Sequence, residues 1–216
     1  MRNFMFIVAA FACASLASAA DRFAIPKADQ LTPEQAKYVR GLVGGPRGGG
    51  DSSPDALDRM LRRGPFNAWL RSPELGERLQ KVGEYIRFDT SLPLRLNEFA
   101  ILITARHWTS QYEWSAHLPL ALKAGLDPKI AAELADNRRP SGMKDDEAAV
   151  YDFCTQLHRT KNVSDETFNR AVKLLGEKGV VDLIGVSGYY TAVSMTLNVA
   201  NVPPPGGTPP PLKPVE

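Results

Sequence analysis

The feature of this sequence that most constrains its fold is a helix start signal that recurs along the chain. A capping residue is followed directly by proline at Thr32-Pro33, Ser53-Pro54, Ser72-Pro73 and Asp127-Pro128. Serine, threonine and aspartate accept hydrogen bonds from the free N–H groups of a first helical turn, where the missing N–H of proline does no harm. No stretch of useful length alternates apolar and polar residues as a half-buried strand does. We therefore predict an all-α fold.

Apolar residues at helical spacing predict where the remaining helices lie. These are residues 92–107, a helix from Ser110 to about Gly125, one that begins at Asp145, and one that begins at Ser164 and ends at Gly176 or Gly179. Residues 180–199 are apolar almost all round and reach the length of a membrane span. Glycine and serine within them favour close helix packing, so we predict a central or interface helix.

Composition excludes several classes of protein. The chain has 216 residues, of which 44% are apolar and 23% charged, so it can bury a core without disulfides or a structural metal. Its net charge of +2, with no basic block, argues against a nucleic-acid partner. Two cysteines, Cys13 and Cys154, and three scattered histidines show no recognisable metal-ligand spacing.

The first 19 residues have the three-part pattern of a secretory signal peptide. Arg2 makes the start positive, residues 4–16 are apolar, and Ala17 and Ala19 are the small residues that a cleavage site needs. This apolar run is shorter than the roughly 20 residues of a membrane span. We expect a periplasmic or secreted protein with no membrane segment after cleavage and with Cys154 as its one cysteine.

We expect four parts along the chain. They are the signal peptide (1–19), an N-terminal helical extension with a glycine-rich hinge (20–63), the main helical domain (64–201) and a proline-rich tail (202–216). The hinge is predicted from five glycines within residues 44–51. The tail is predicted to be extended, because proline favours the polyproline conformation.

One polar cluster in apolar surroundings is the candidate site. Glu98 lies in the apolar segment 92–107, where a carboxylate must be paired or protonated. Ser110, Glu113 and His117 are three and four residues apart and so share one face of the next helix. Structural alternatives exist, because Glu98 can pair with Arg95 and Ser110-x-x-Glu113 can be a capping box. His117 has no such local explanation, and Glu113 can orient its ring.

These residues resemble the carboxymuconolactone decarboxylase family, which belongs to the alkyl hydroperoxidase D-like superfamily. The resemblance rests on Arg95-x-x-Glu98, on Tyr112-Glu113-Trp114-x-x-His117 and on Ala121-x-x-Ala124-Gly125-Leu126, and it extends over about residues 64–212. It implies an alkyl hydroperoxidase D-like helical bundle that assembles as a homotrimer or homohexamer. It also implies a small-molecule substrate and no cofactor.

The match departs from the hydroperoxidase branch at both redox thiols. In that branch a glutamate is followed twelve residues later by a Cys-x-x-Cys pair, with a histidine four residues beyond the second cysteine. Counted from Glu98, the cysteine positions are Ser110 and Glu113, and the histidine position is His117. Because neither serine nor glutamate can form a disulfide, thiol-based peroxide reduction is disfavoured and acid–base groups are what remain.

We therefore expect an exported, cofactor-independent lyase that decarboxylates a small carboxylated lactone or oxo-acid. Its catalytic residues are predicted to be Glu98, Glu113 and His117, since histidine and carboxylates transfer protons near neutral pH. Two alternatives stay open: an oxidoreductase with peroxiredoxin-type activity, and a non-catalytic binding protein on the same scaffold. The predicted substrate-binding residues are two arginines that can clamp a carboxylate and three that can line a pocket: Arg95, Arg106, Ser110, Tyr112 and Trp114.

Overall fold

The computed structural model describes residues 22–51, 53–207 and 211–214, and within them it has nine α-helices and no β-strand. The all-α prediction is therefore confirmed for the described residues, while the predicted signal peptide lies outside them. The helices are α1 (Pro33–Gly44), α2 (Pro54–Leu61), α3 (Phe66–Trp69), α4 (Pro73–Phe88), α5 (Leu94–His107), α6 (Gln111–Lys123), α7 (Pro128–Ala135), α8 (Asp145–Thr160) and α9 (Asp165–Ala200).

Local capping explains four of the nine helix starts, although the predicted cap at Ser72 makes no side-chain hydrogen bond to α4. The side chains of Thr32, Ser53, Asp127 and Ser164 each accept a hydrogen bond from a backbone N–H of the helix that follows. The predicted break at Gly176 is also present, since this residue has a φ of 72°, which glycine adopts without strain. The chain turns helical again directly after Gly176, so α9 consists of two helical parts.

Helix α5 lies at the centre of the fold and packs against α6, α8 and α9. Phe99, Ile101, Leu102 and Ala105 point in different directions around this helix, and each is fully buried. A helix that is apolar on all sides is stable only when neighbours cover it all round. The apolar character of the segment is thus accounted for, and a carboxylate on it is necessarily buried.

Helix α9 buries one side and exposes the other. Leu183, Val186, Val193 and Leu197 lie in the core, whereas the opposite side presents a separate set of apolar residues to solvent. Among the described residues α9 is the one helix long and apolar enough to cross a membrane, a criterion that core helices also meet. Since 56% of its most apolar stretch is buried inside the fold, α9 is a core helix here.

The N-terminal segment and the tail both pack on the main helical domain. Tyr38, Val39 and Leu42 of α1 belong to the same hydrophobic core as α5, and α1 contacts α4. The glycine-rich segment after α1 forms a loop in which the Gly50 N–H donates a hydrogen bond to the carbonyl of Val43, in the last turn of α1. In the tail, Leu212 is buried, and its backbone exchanges two hydrogen bonds with the Gln111 side chain.

Candidate active site

His117 is held between two carboxylates that come from two different helices. Its Nδ1 lies 2.6 Å from Oε2 of Glu98 on α5, and its Nε2 lies 3.2 Å from Oε2 of Glu113, one turn earlier on α6. No more than 4% of any of these three residues is exposed. The structure therefore brings together all three of the predicted catalytic residues.

A tight connection between α5 and α6 produces this arrangement. The two helices are separated by three residues, and Thr109 among them adopts a φ of 46°. The Ser110 N–H closes the turn by donating to the carbonyl of Ala105 at 2.8 Å. Such a short connection makes consecutive helices pack side by side. Glu98 on α5 consequently faces His117 on α6.

The charges around His117 favour its protonated form. Burial by itself lowers the pKa of His117, but the hydrogen bonds and negative charges of Glu113 and Glu98 outweigh burial and raise this pKa to about 9. An imidazolium donates from both ring nitrogens, so it satisfies one carboxylate on each side. The site therefore holds a buried, hydrogen-bonded proton at neutral pH.

Neither structural alternative for these residues is formed among the described residues. The Ser110 side chain makes no capping hydrogen bond at the start of α6, and its Oγ is buried without a described partner. Arg95 forms ion pairs with Asp146, at 2.7 Å, and with Glu147 on α8 rather than with Glu98. The capping box and the Arg95 pair thus do not account for the two glutamates.

His117 and Glu113 lie in the wall of a cavity of about 390 Å³. Glu98 lies behind His117 and does not contribute to that wall. The wall is built from α6, α9, the end of α4 and the N-terminal segment, including the loop predicted to be a hinge. Its other polar side chains are three arginines and three tyrosines: Arg47, Arg63, Arg87, Tyr112, Tyr189 and Tyr190.

The tyrosines add hydrogen-bond donors to the cavity. The ring of Tyr190 meets the His117 ring edge to face, with 5.1 Å between centroids, and packs in the same way on Tyr189 at 5.2 Å. Burial raises the pKa of Tyr189 to about 12 and raises that of Tyr190 well above its usual value. Both phenols therefore keep their protons at neutral pH and can donate to an oxygen of a bound molecule.

The structure separates the five predicted substrate-binding residues. Tyr112 lines the cavity, and its phenol oxygen accepts a hydrogen bond of 2.6 Å from the Gly64 N–H. The other four do not line it. Arg95 is held by the carboxylates of α8, and Arg106 is buried beside a small cleft on another side of α5. Ser110, at the start of α6, and Trp114 are buried in the core and do not contribute to the cavity wall.

Five polar residues of the cavity wall were missed as site residues by the sequence analysis. Arg47, Arg63 and Arg87 come from three separate segments, and nothing in the sequence distinguishes them from surface arginines. A signal did exist for Tyr189 and Tyr190, since they are the largest polar-tipped side chains in the apolar segment 180–199. Buried tyrosines of this kind usually place the hydroxyl where it finds a polar partner.

Comparisons of this chain with protein-family models, with curated proteins and with solved structures find no match. The family resemblance is therefore a hypothesis that depends on the motif residues quoted above.

Proposed function

We propose that the protein is a cofactor-independent lyase of the carboxymuconolactone decarboxylase type, which releases CO2 from a small carboxylated lactone or oxo-acid. One observation supports this most strongly: the Glu98–His117–Glu113 arrangement opens, through Glu113 and His117, onto a cavity that also carries arginines. A cavity of about 390 Å³ is of the size that holds a small molecule. The predicted signal peptide supports a periplasmic or extracellular place of action.

The proposed reaction needs an electron sink and a proton. The bond between the substrate carbon and its carboxylate breaks, and CO2 leaves. The electron pair of that bond moves into the conjugated carbonyl group and forms an enolate, whose oxygen can accept hydrogen bonds from Tyr189 and Tyr190. A new C–H bond then forms when the enolate carbon takes a proton from the acid–base groups of the cavity wall.

We assign the two glutamates different roles in this reaction. Glu113 touches both the cavity and His117 Nε2, so it passes the proton between the imidazolium and the substrate carbon. Glu98 bonds Nδ1 from behind and does not reach the cavity. It is a positioning residue that keeps the ring oriented and protonated, the part that a buried aspartate plays behind histidine in serine hydrolases.

The position of Cys154 supports a reaction that does not use a thiolate. It is the one free cysteine among the described residues, and it lies fully buried on α8, outside the cavity wall. Burial raises the pKa of this thiol to about 12. Because the thiolate is the reactive form, Cys154 is poorly suited to peroxide reduction.

We also propose that copies of the chain assemble through the exposed side of α9, as a homotrimer or homohexamer. Four large apolar residues lie exposed there at spacings that keep them on one side of the helix: Val181, Ile184, Met195 and Val199. Apolar patches of this kind mark interaction surfaces. Light scattering should show an oligomer that Val181→Asp weakens, whereas a monomeric wild-type protein would contradict this proposal.

The proposed reaction can be tested without knowing the substrate. A panel of lactone acids and 2- and 3-oxo-acids with a ¹³C-labelled carboxyl group is incubated with the protein in D2O. We expect labelled CO2 from at least one acid and uptake of one deuteron per CO2 at the carbon that lost the carboxylate. His117→Gln should abolish both signals, and Glu77→Gln on α4, outside the cavity wall, serves as the control. Equal CO2 release by wild type and His117→Gln would refute the proposal.

A further inference from the structure

One part of the cavity wall lies between two turns that contain glycine. Residues 45–64, the α2 segment, connect α1 to α3 and carry α2. Near the start of this segment Gly50 has a φ of 79°, and at its end Gly64 has a φ of 51°. Glycine adopts this left-handed region without the steric cost of a side chain, so the backbone can change direction at both places. The α2 segment is thus bounded by two positions that can act as hinges.

The α2 segment closes one side of the cavity. Glu113 and His117 lie in the part of the wall that α6 contributes. The α2 segment contributes residues from both of its ends and from the last turn of α2: Pro46, Arg47, Met60, Arg63 and Gly64. A displacement of the segment would therefore open the cavity, and with it Glu113 and His117, to solvent.

Ion pairs do not tie the α2 segment to the rest of the described fold. Its two ion pairs join residues of the segment to each other: Arg59 with Asp51, and Arg62 with Asp58. The Arg47 guanidinium lies over the ring of Phe66 on α3, 5.7 Å from its centroid. Otherwise α2 packs against α1 and α3 through apolar residues of the common core. Because apolar contacts are non-directional, the segment can shift as a unit without separating an ion pair.

One hydrogen bond joins the α2 segment to α6. The Gly64 N–H donates to the phenol oxygen of Tyr112 at 2.6 Å. It is the one hydrogen bond that leads from the segment to a described residue beyond the adjoining turn of α1. Tyr112 directly precedes Glu113 in the first turn of α6. The hinge at Gly64 is therefore attached to the turn of α6 that carries Glu113.

This hydrogen bond also orients the Tyr112 hydroxyl. Burial is the main cause that raises the pKa of Tyr112, so the phenol keeps its proton at neutral pH. A phenol oxygen that accepts a hydrogen bond can still donate its own hydrogen to another partner. Tyr112 lines the cavity. Its hydrogen is thus available to a bound molecule while the α2 segment is in place.

We propose that the α2 segment is a lid over the cavity, and that Tyr112 is the positioning residue to which the closed lid is attached. Opening breaks the hydrogen bond between Gly64 and Tyr112, and closing restores both the cavity wall and the orientation of the hydroxyl. Closure of a lid excludes water and completes the set of groups around a substrate. Residues 45–63 precede the region that resembles the carboxymuconolactone decarboxylase family, so the resemblance does not imply this lid.

Limited proteolysis of the folded protein with trypsin measures the opening of the lid. Arg59, Arg62 and Arg63 are exposed, but trypsin cuts only where the chain opens locally. Apart from cuts near the two ends of the chain, we expect the first cuts after these arginines. Tyr112→Phe removes the acceptor of the Gly64 N–H and should raise the rate of these cuts about fivefold, the usual effect of losing one hydrogen bond.

Tyr85→Phe is the matched control. The Tyr85 hydroxyl on α4 donates to Asp182 at 3.0 Å, and Tyr85 lies outside both the lid and the cavity wall. Like Tyr112→Phe, this change removes a phenol hydrogen bond and lowers the stability of the whole fold, but it leaves the bond between Gly64 and Tyr112 intact. The rate of cutting within the lid should therefore stay at the wild-type value.

A thiol in the cavity wall reports whether this motion opens the cavity. Ala116→Cys introduces one on α6, and peptide mass spectrometry locates the label at position 116. A bulky maleimide should react slowly with this variant. Adding Tyr112→Phe should raise the rate of labelling about fivefold, in step with the trypsin cuts, whereas adding Tyr85→Phe should not change it.

The outcomes distinguish a lid from a fixed wall. First internal cuts outside residues 45–64, or equal rates of cutting in wild type and Tyr112→Phe, would overturn the proposal. Faster cutting without faster labelling at position 116 would also overturn it, because the segment would then move without opening the cavity. Rates of cutting and of labelling that both rise in Tyr112→Phe, and in neither assay in Tyr85→Phe, support the lid whether or not any acid releases CO2.

Discussion

Replacing His117 by glutamine should remove most of the pH dependence of stability between pH 6.5 and 9. The pKa of His117 rises from 6.5 in the unfolded chain to about 9 in the folded protein. The native state therefore holds this proton more tightly than the unfolded state does. The resulting stabilisation is complete below about pH 6.5 and is lost as pH rises through about 9.

The size of this stabilisation follows from the rise in the pKa of His117. Each unit of pKa difference corresponds to about 1.4 kcal/mol, so the rise from 6.5 to about 9 gives about 3 kcal/mol of stability at pH 6.5. Solvent screening does not reduce this free energy, because only 4% of His117 is exposed. This is a large part of the stability of an ordinary domain.

Urea unfolding, followed by tryptophan fluorescence at pH 6.5 and 9.5, measures the effect. The free energy of unfolding of the wild type should fall by about 3 kcal/mol between these pH values. His117→Gln should have a lower free energy of unfolding than the wild type at pH 6.5, and this free energy should change much less with pH. His158→Gln is the matched control, because burial lowers the pKa of His158 to about 4, below this range. A flat wild-type profile, or an equal fall in His117→Gln, would refute the reasoning.

Two further predictions concern groups outside the cavity. Arg95→Leu should destabilise the protein by about 3 kcal/mol or more in the same urea assay, because it leaves the buried carboxylate of Glu147 unpaired. Arg78→Leu, which breaks an exposed pair, should change stability by less than about 1 kcal/mol, and equal effects would contradict this difference. Cys154 should resist iodoacetamide at pH 8 until urea unfolds the chain, since its thiol is fully buried and its pKa is raised to about 12. Rapid labelling of the folded protein would show that α8 opens.

The helix starts could be predicted from sequence because capping is local. Thr32 and Ser53 each accept a hydrogen bond from the N–H three residues further along, so neighbouring residues suffice to reveal them. Ser110 shows the limit of this reasoning. It has the capping-box spacing with Glu113, yet Glu113 bonds His117 and the serine side chain is buried. A buried ionic partner supplied by the fold outweighs a local cap.

Part of the site was also accessible from sequence, for a physical reason. Glu98 stands out because a carboxylate in an apolar segment needs a partner, and the shared helix face of Glu113 and His117 supplies one. The arginines show no comparable signal. Arg47 becomes distinctive only when the loop after α1 folds over the end of α4 and buries two of its nitrogens.

A comparison of Glu113→Gln with wild type in CO2 release, using any acid that the panel identifies, tests the proposed site. Glutamine keeps the size of the side chain but cannot take and pass the proton. We predict that turnover falls by about 10²–10⁴-fold. The turnover of Glu98→Gln should fall less than that of Glu113→Gln, because Glu98 lies outside the cavity wall. Wild-type turnover by a folded Glu113→Gln variant would contradict the assignment of Glu113 and His117 as the acid–base groups.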